Sequence, residues 1–187
     1  MHPILCIEMN NGHTIKIELY PQKAPNSING LLWMVFKNGY DQMQIQRIAP
    51  GFVLQPWYDE LRMSEDYWYL VDGEFKENGF ETNDLDMCKY AVGLAGDGKK
   101  TSSPSSFFIV LEDGHQDRLN GKFACIGYVV EGFEEVKRIV SVPLQDVASP
   151  EGVVVKEPIV PEIIKHVSVD LNGYEYKEPK QFFHQFK

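Results

Sequence analysis

The feature that most restricts the fold is a pair of alternating stretches joined by Asn11-Gly12 near the start of the sequence. In both stretches every second residue is apolar, which is typical of strands that bury one face. The apolar positions are Leu5, Ile7 and Met9 before the turn, and Ile15, Ile17 and Leu19 after it. An Asn-Gly pair favours a type I′ turn, because both residues tolerate positive φ. The sequence therefore predicts a β-hairpin with one apolar face turned to a core.

Two other segments show the period of a helix. Residues 25–38 begin with a proline, carry an apolar stripe and end at Asn38-Gly39, which predicts a helix of about fourteen residues. Gly30 lowers helix propensity there by about 1 kcal/mol, which indicates a point of close packing. Residues 133–142 predict a second, shorter helix. The remaining apolar runs are short and separated by turn residues, so we predict one mainly β domain, an antiparallel barrel or sandwich with two helices.

Charge and composition narrow the classes of function. The 187 residues carry a formal net charge of -9 without a long run of Lys and Arg, so we do not expect nucleic acid as a main partner. The three cysteines lie far apart and the five histidines show no metal-ligand spacing, so we predict no metal and no cofactor. The first ten residues have the character of neither a signal peptide nor a membrane span. With unpaired cysteines as well, we expect a cytoplasmic protein without a membrane partner.

The stretch QRIAPGFVLQ carries polar residues that a buried strand does not need. By alternation Arg47, Val53 and Gln55 share a parity. Phe52 follows a Pro50-Gly51 kink that can redirect its ring. A cation, an aromatic ring and an amide can therefore surround one shallow surface. An exposed arginine and a solvated glutamine on an edge strand would explain the same residues, and this stretch alone does not decide between the two interpretations.

A series of motifs resembles the cyclophilins, the barrel-shaped peptidyl-prolyl cis-trans isomerases, in their single-domain, bacterial-like form. After the opening hairpin, the matching stretches are APNSINGLL, QRIAPGFVLQ, DGEFKENGF, AVGLAGDG, SPSSFFIVL and LNGKFACIGYVVEG, in the family's order. The resemblance implies a mainly β fold, a closed antiparallel eight-stranded β-barrel capped by two α-helices. It assigns residues 1–170 to a cyclophilin-like domain. Residues 171–187 would form an aromatic C-terminal extension, either packed on the barrel or flexible.

The same resemblance implies a catalytic pair and a proline pocket. Arg47 takes the place of the catalytic arginine, and Gln55 that of the glutamine that helps to position the substrate carbonyl. The substrate-binding positions of the pocket and its rim are taken by Phe52, Val53, Phe108, Leu119, Phe123 and Arg118. The stretch whose backbone pairs with the extended peptide is taken by Gly96, Asp97 and Gly98. Because successive residues of a strand point to opposite faces, we expect the neighbouring Phe107 to lie in the core instead.

Several positions depart from the family pattern. Val53, Phe123 and Arg118 replace the family's pocket methionine, histidine and tryptophan. Ser106 and Gln46 replace a glutamine and a histidine, and PWYD at residues 56–59 replaces a glycine-containing stretch. Because an arginine replaces the tryptophan that faces cyclosporin in the family, we expect weak or no cyclosporin binding.

We therefore expect a peptidyl-prolyl cis-trans isomerase that rotates X-Pro bonds in unfolded or flexible segments and assists protein folding. Its partners would be proline-containing peptides and unfolded protein segments. The alternative is a catalytically weak module that binds proline-containing peptides. The altered rim favours this alternative, whereas Arg47, Phe52, Gln55 and Phe108 oppose it. A purely structural barrel would leave Arg47 unexplained.

Overall fold

The computed structural model describes residues 2–57, 64–148 and 152–183. Strands dominate this part of the chain, and no helix within it is long and apolar enough to cross a membrane. The strands are β1 Ile4–Met9, β2 Thr14–Leu19, β3 Arg47–Ala49, β4 Val53–Gln55, β5 Tyr69–Asp72, β6 Ala91–Ala95, β7 Thr101–Val110, β8 Cys125–Glu131, β9 Leu144–Ala148, β10 Val154–Pro158, β11 Ile164–Asp170 and β12 Phe182–Phe183.

The predicted hairpin forms, but with a different turn. Strands β1 and β2 pair antiparallel, with Ile7 opposite Ile15, and their odd-numbered residues are buried. Gly12 has φ +85°, whereas Asn11 is not among the residues with positive φ. A type I′ turn needs positive φ at both positions, so the predicted turn type is wrong. The backbone N–H of Gly12 donates to the carbonyl of Met9 at 2.9 Å and closes a longer loop.

The main sheet has ten strands, and eight of them follow one path in the order β11-β1-β2-β8-β6-β7-β4-β3. Strand β5 pairs with β7 and with β12, while β9 and β10 form a separate two-stranded sheet. All of these pairings are antiparallel. The sheet curls into a half-barrel that positions β4, β6, β7 and β8 side by side.

The predicted closed eight-stranded barrel is wrong, because the sheet is open. In the described part of the chain β3 and β11 stand at opposite ends of the path and do not pair as strands. Between them lies an isolated bridge from Gln44 to Ile163. Backbone hydrogen bonds flank it: the N–H of Ile45 donates to the carbonyl of Glu162 at 2.9 Å, and the N–H of Ile164 donates to the carbonyl of Met43 at 2.9 Å. Alternation specifies which face of a strand is buried, but it does not specify which strands become neighbours at the edges of a sheet.

The described residues contain three α-helices, so the prediction of two is wrong. These are α1 Pro25–Phe36, α2 Gln116–Leu119 and α3 Phe133–Val140. Two short 3₁₀ helices, Glu65–Tyr67 and Lys76–Asn78, lie in the connections. Helices α1 and α3 are the two that periodicity predicts. The missed helix α2 has four residues, which is too short to show a helical period.

A buried carboxylate caps helix α1. Pro25 occupies its first turn, and the N–H groups of Asn26 and Ser27 donate to the two oxygens of Glu74 at 3.0 and 2.7 Å. Glu74 therefore satisfies donors that the helix leaves free at its start.

The apolar residues form two separate clusters on the two faces of the sheet. The larger cluster fills the inside of the curl beneath α1 and α3 and contains Phe107. The smaller one contains the next residue, Phe108, together with buried residues of β4, β6, β8 and α2. Successive residues of a strand point to opposite faces, which is why these two rings separate. Phe107 is 1% exposed in the main core, which confirms its predicted place.

The segment after β11 runs back along α1. The side-chain oxygen of Asn29 accepts hydrogen bonds from the hydroxyl of Tyr174 at 3.1 Å and from the N–H of Lys177 at 3.3 Å. The rings of Phe36 and Tyr176 meet edge to face at 4.9 Å, and β12 then pairs with β5. The boundary between a domain of residues 1–170 and an extension of residues 171–187 stays a prediction.

Candidate active site

Arg47 and Gln55 face each other across the β3-β4 hairpin. They are directly opposite in the strand register, so their side chains project from the same face. The Arg47 guanidinium donates to the Gln55 side-chain oxygen at 3.2 Å. The connecting turn contains Gly51 at φ +73°, a conformation that favours glycine.

A chain of hydrogen bonds holds Gln55 from behind. Its side-chain nitrogen donates to the Ser106 hydroxyl at 2.8 Å, and that hydroxyl donates to the backbone carbonyl of Trp57 at 2.5 Å. Gln55 and Ser106 are both buried. Because each end of the amide has its own partner, the orientation of Gln55 is fixed, and with it the oxygen that faces Arg47.

The smaller apolar cluster includes Val53, which lies on the same face of β4 as Gln55, and we call this cluster the cup. Its members from the predicted pocket are Phe52, Val53, Phe108, Leu119 and Phe123. The Phe108 and Phe123 rings meet edge to face with centroids 5.8 Å apart. Val53, Phe108 and Leu119 are buried, whereas Phe52 and Phe123 are half-buried. The cup therefore has a closed base and two aromatic rings that reach the surface.

A glycine in β6 allows the Phe108 ring to take this place. A Cβ atom added to Gly93 would lie 2.5 Å from Cζ of Phe108, closer than any real contact. The cup therefore needs glycine at position 93, which no motif in the sequence singled out. Cys125 is buried in the same cluster, and burial raises the pKa of its thiol to about 12.

The loop of residues 96–101 borders the cup at Phe123. A Cβ on Gly98 would lie 3.7 Å from Cζ of Phe123, so the loop backbone runs beside that ring. A Cβ on Gly96 would lie 2.1 Å from the carbonyl oxygen of Thr101, so the two sides of the loop touch. The predicted backbone stretch is thus placed at the edge of the cup.

Asp97 holds this loop together from within. One carboxylate oxygen accepts the backbone N–H groups of Lys99, Lys100 and Thr101 at 2.9, 2.8 and 2.9 Å. Partial burial raises the pKa of Asp97, but these hydrogen bonds outweigh that effect and lower the pKa to about 2. The carboxylate is turned into its own loop, so its side chain does not face the cup.

The rim of the cup at Phe52 is built by α2. The Arg118 guanidinium carbon lies 4.3 Å from the centroid of the Phe52 ring. The His115 ring lies 4.8 Å from the same ring, and its Nε2 donates to the carbonyl of Gly51 at 2.7 Å. Sequence reasoning missed His115. The available signal was its position in the turn before QDRL, but its contact with Phe52 arises only in the tertiary structure.

Other departures from the family pattern lie away from the cup. Trp57 is buried in the main core, and Gln46 is buried directly before β3. Tyr58 and Asp59, the last two residues of PWYD, lie outside the described residues. In the described ranges no three His, Cys, Asp or Glu side chains are grouped as metal ligands would be.

Comparison with known proteins decides the family. The model of the family described as cyclophilin type peptidyl-prolyl cis-trans isomerase/CLD matches residues 4–169. The chain belongs to this cyclophilin family. The resemblance drawn from the sequence motifs is thereby confirmed, and so is the reaction class of the family, peptidyl-prolyl cis-trans isomerisation.

Relatives among characterised proteins agree with this membership. The chain is 30% identical over 131 residues to peptidyl-prolyl cis-trans isomerase B of Bacillus subtilis, which covers 70% of this chain and 86% of that protein. It is 29% identical over 141 residues to a peptidyl-prolyl cis-trans isomerase of Acinetobacter baylyi, covering 73% of this chain and 72% of the relative.

Solved structures show the same fold. A cyclophilin type peptidyl-prolyl cis-trans isomerase of Cryptosporidium parvum superposes with a TM-score of 0.70 at 21% identity, covering 91% of this chain and 98% of that one. A second crystal structure of the parasite protein was obtained in the presence of the dipeptide Ala-Pro. A cyclophilin from Hirschia baltica superposes with a TM-score of 0.59 at 16% identity, covering 88% of this chain and 73% of that one.

Proposed function

We propose that this cyclophilin catalyses rotation about X-Pro bonds at the cup, with Arg47 and Gln55 as its catalytic residues. The observation that carries the proposal is the fixed Arg47-Gln55 pair beside an apolar cup that is separate from the main core. The family supplies the reaction class, and the geometry supports these residue roles.

The cup suits the substrate because of what the reaction requires. Rotating an X-Pro bond breaks amide resonance, with a barrier of about 18–20 kcal/mol. No bond is made or cleaved, so a site that binds the twisted amide more tightly than the planar one accelerates the rotation. In this proposal the proline ring lies against Phe52, Phe108 and Phe123, with Val53 and Leu119 beneath it.

Arg47 has the chemistry to favour the twisted state. As the C–N bond twists, the prolyl nitrogen becomes pyramidal and regains a lone pair. A fixed guanidinium can donate to that lone pair or to the adjacent carbonyl, and a donor that needs no reorganisation stabilises the transition state most. Gln55 restrains Arg47 through the 3.2 Å hydrogen bond and positions the substrate carbonyl. A lysine would keep the charge but lose the planar fork of donors.

The extended part of the substrate would pair with the backbone of the loop at Gly96, Asp97 and Gly98. The loop borders the cup at Phe123, and Asp97 ties its turn from inside. That a homologous fold was crystallised in the presence of Ala-Pro supports a proline-containing peptide as the ligand. We propose unfolded or flexible protein segments as the natural substrates, with assistance to folding as the role.

The second candidate function is binding of proline-containing peptides without useful catalysis. The observation in its favour is the rebuilt rim, where Val53, Phe123 and Arg118 replace three pocket residues of the family pattern. NMR exchange spectroscopy on a short Ala-Pro peptide separates the two. We expect cross-peaks between cis and trans signals that appear only when the protein is added. Peptide shifts without exchange would contradict catalysis and favour the binding module.

We also propose a reducing, cytoplasmic location. The three cysteines, Cys6, Cys88 and Cys125, are free in the described structure, and burial raises the pKa of each thiol. Free thiols of this kind suit a compartment that keeps cysteines reduced. Cell fractionation should recover the protein with cytosolic markers, and recovery with secreted proteins would contradict this location.

A further inference from the structure

Arg118 lies at the mouth of the cup rather than in a salt bridge. It belongs to the only complete turn of α2, and the next residue, Leu119, is buried in the base of the cup. The exposed Arg118 side chain stacks on Phe52 with its guanidinium carbon 4.3 Å from the ring centroid. The stacked group is therefore anchored on a wall of the proposed proline pocket.

The Phe52 ring that supports Arg118 is itself held in place. His115 packs on it at 4.8 Å, and the hydrogen bond from Nε2 of His115 to the Gly51 carbonyl fixes that imidazole. A guanidinium stacked on a fixed aromatic ring loses less side-chain freedom when it meets a ligand than a freely moving arginine does. Arg118 is thus partly ordered before any peptide binds.

Arg118 forms no ion pair within the described part of the chain. The ion pairs between described residues involve other cations, and none of them includes Arg118. Of the acidic residues nearby in sequence, Asp113 accepts the backbone N–H of Lys89, and the Glu112 carboxylate lies over Gly51. Asp117 directly precedes Arg118 but forms no ion pair with it. The neighbouring cation Lys122 donates to the backbone carbonyl of Asp117 at 3.0 Å and not to a carboxylate.

Residues 112–122 carry the acidic side chains Glu112, Asp113 and Asp117 against the basic Arg118 and Lys122, and the whole chain carries a formal net charge of -9. A protein with this overall charge repels acidic peptides at long range, so any preference for them has to arise from the site itself. At the rim of the cup, the contact with Phe52 places the Arg118 cation where such a preference can arise.

We propose that Arg118 is a specificity-determining residue that selects proline-containing segments with an acidic residue next to the proline. The inference rests on the proposed function of the cup. A carboxylate on a neighbouring residue of the peptide would accept hydrogen bonds from the guanidinium edge while Phe52 continues to support its face. The cup recognises the proline ring, and Arg118 adds a charge requirement beside it.

The test compares matched peptides that differ at one position. A neutral peptide with Ala-Pro-Ala at its centre is compared with versions that carry Glu or Lys immediately before or immediately after the proline. We measure kcat/KM by NMR exchange and Kd by titration, at low and at high ionic strength. Since exposed ion pairs are weak and screened by salt, we expect the Glu peptide to exceed the Lys peptide by about two- to fivefold at low salt.

Three variants assign the preference to one side chain. Arg118→Gln should reduce the Glu-to-Lys ratio to about one, and Arg118→Glu should invert it. Lys137→Gln is the matched control, because it removes one positive charge from α3, which packs on the other cluster. That control should keep the wild-type ratio.

The outcomes separate this inference from the proposed function. Equal kcat/KM and Kd for the Glu and Lys peptides, with measurable exchange on both, would overturn the selectivity and leave the isomerase proposal standing. A ratio that Arg118→Glu fails to invert would also overturn it. No exchange on any peptide would contradict the isomerase proposal, whereas the Kd values would still report whether Arg118 selects acidic ligands.

Discussion

At the scale of single residues, Phe107 and Phe108 allow a ring of the main core to be compared with a ring of the cup. They are adjacent on β7, both are buried, and they lie in different clusters. We expect Phe107→Ala and Phe108→Ala each to lower the free energy of unfolding by about 3–5 kcal/mol, because each removes a buried ring. Only Phe108→Ala should also weaken peptide binding, since only that ring lies in the cup.

The measurements are denaturant unfolding and peptide titration on both variants. Phe107→Ala is the matched control, because it should lower stability by a similar amount without removing a ring of the cup. If the folded Phe108→Ala variant bound an X-Pro peptide as tightly as the wild type, Phe108 would not be a wall of the proline pocket.

Arg118 should also affect the affinity for cyclosporin. A large, apolar macrocycle that covered the rim would have to displace or desolvate the guanidinium stacked on Phe52. Displacing the guanidinium gives up a cation–π contact of about 0.5–1 kcal/mol, and desolvating its charge against apolar groups adds to that cost. We expect weak cyclosporin binding by the wild type and tighter binding by Arg118→Trp, measured by calorimetry.

Arg118→Ala is the control that separates removal of the charge from gain of an indole. If the wild type and Arg118→Trp bound cyclosporin equally, Arg118 would not be what limits the affinity.

At the scale of elements, α1 packs on β7 through a glycine, as its position in the helix predicts. A Cβ on Gly30 would lie 2.6 Å from Cγ of Pro104, and the carbonyl of Gly30 accepts the Tyr69 hydroxyl at 2.6 Å. Gly30→Ala should gain about 1 kcal/mol of helix propensity but lose about 1–3 kcal/mol to overpacking. We expect a net loss of stability in thermal unfolding.

The double variant Gly30→Ala with Pro104→Ala tests the cause. Removing the Pro104 ring should recover stability relative to the sum of the two single changes. Simple additivity of the two changes would show that Gly30 is not a contact point between α1 and β7.

The loop at Asp97 is the second element whose role can be measured. Asp97→Ala removes the acceptor of three backbone N–H groups, so we expect a higher KM for X-Pro peptides with a smaller change in kcat. Because the carboxylate is exposed to solvent, the cost to global stability should stay near about 1 kcal/mol. Asp97→Asn retains an acceptor oxygen and should restore most of the KM. Equal KM values for the wild type and Asp97→Ala would contradict a positioning role.

The pKa of Asp97 determines the pH range in which its ionised carboxylate stabilises the folded protein. Its value of about 2 in the folded protein lies below the ordinary value of about 3.9. The stabilisation by the ionised group is therefore complete above a pH of about 4 and is lost as the pH falls through about 2. Between pH 5 and 8 we expect no change in KM from this group.

These elements also show where sequence reasoning succeeds. The hairpin, α1 and α3 follow from local periodicity, because each carries its apolar pattern within one continuous segment. The four-residue α2 has no such pattern, and the hairpin turn differs because a loop longer than two residues needs positive φ only at Gly12.

At the scale of the whole molecule, the sheet separates the core from the site. The larger cluster lies inside the curl, whereas the cup lies on the opposite face of β4, β6, β7 and β8. Substitutions at the rim can therefore change peptide recognition without altering the packing of the main core. This arrangement is consistent with a family fold that persists although Val53, Phe123 and Arg118 depart from the family pattern.

Whether the barrel closes could not be inferred from the same patterns. Alternation at β3 and β11 specifies their buried faces, but the isolated Gln44-Ile163 bridge between the two edges depends on the curl of the whole sheet. The contact of His115 with Phe52 likewise joins two segments that are distant in sequence. Contacts of this kind leave no local period, whereas Arg47 and Gln55 could be paired because they face each other across one short hairpin.

The central claim is that Arg47 stabilises the twisted amide at the cup, and the most direct test measures exchange on the bound peptide. NMR exchange rates at saturating X-Pro peptide are compared for the wild type, Arg47→Lys and Arg47→Ala, with Kd determined for each. We expect Arg47→Ala to fold and bind peptide, and its bound-state exchange to fall by about a hundredfold, on the order of 2.7 kcal/mol. Arg47→Lys should lie between the two. An unchanged exchange rate in the folded Arg47→Ala variant would contradict the claim.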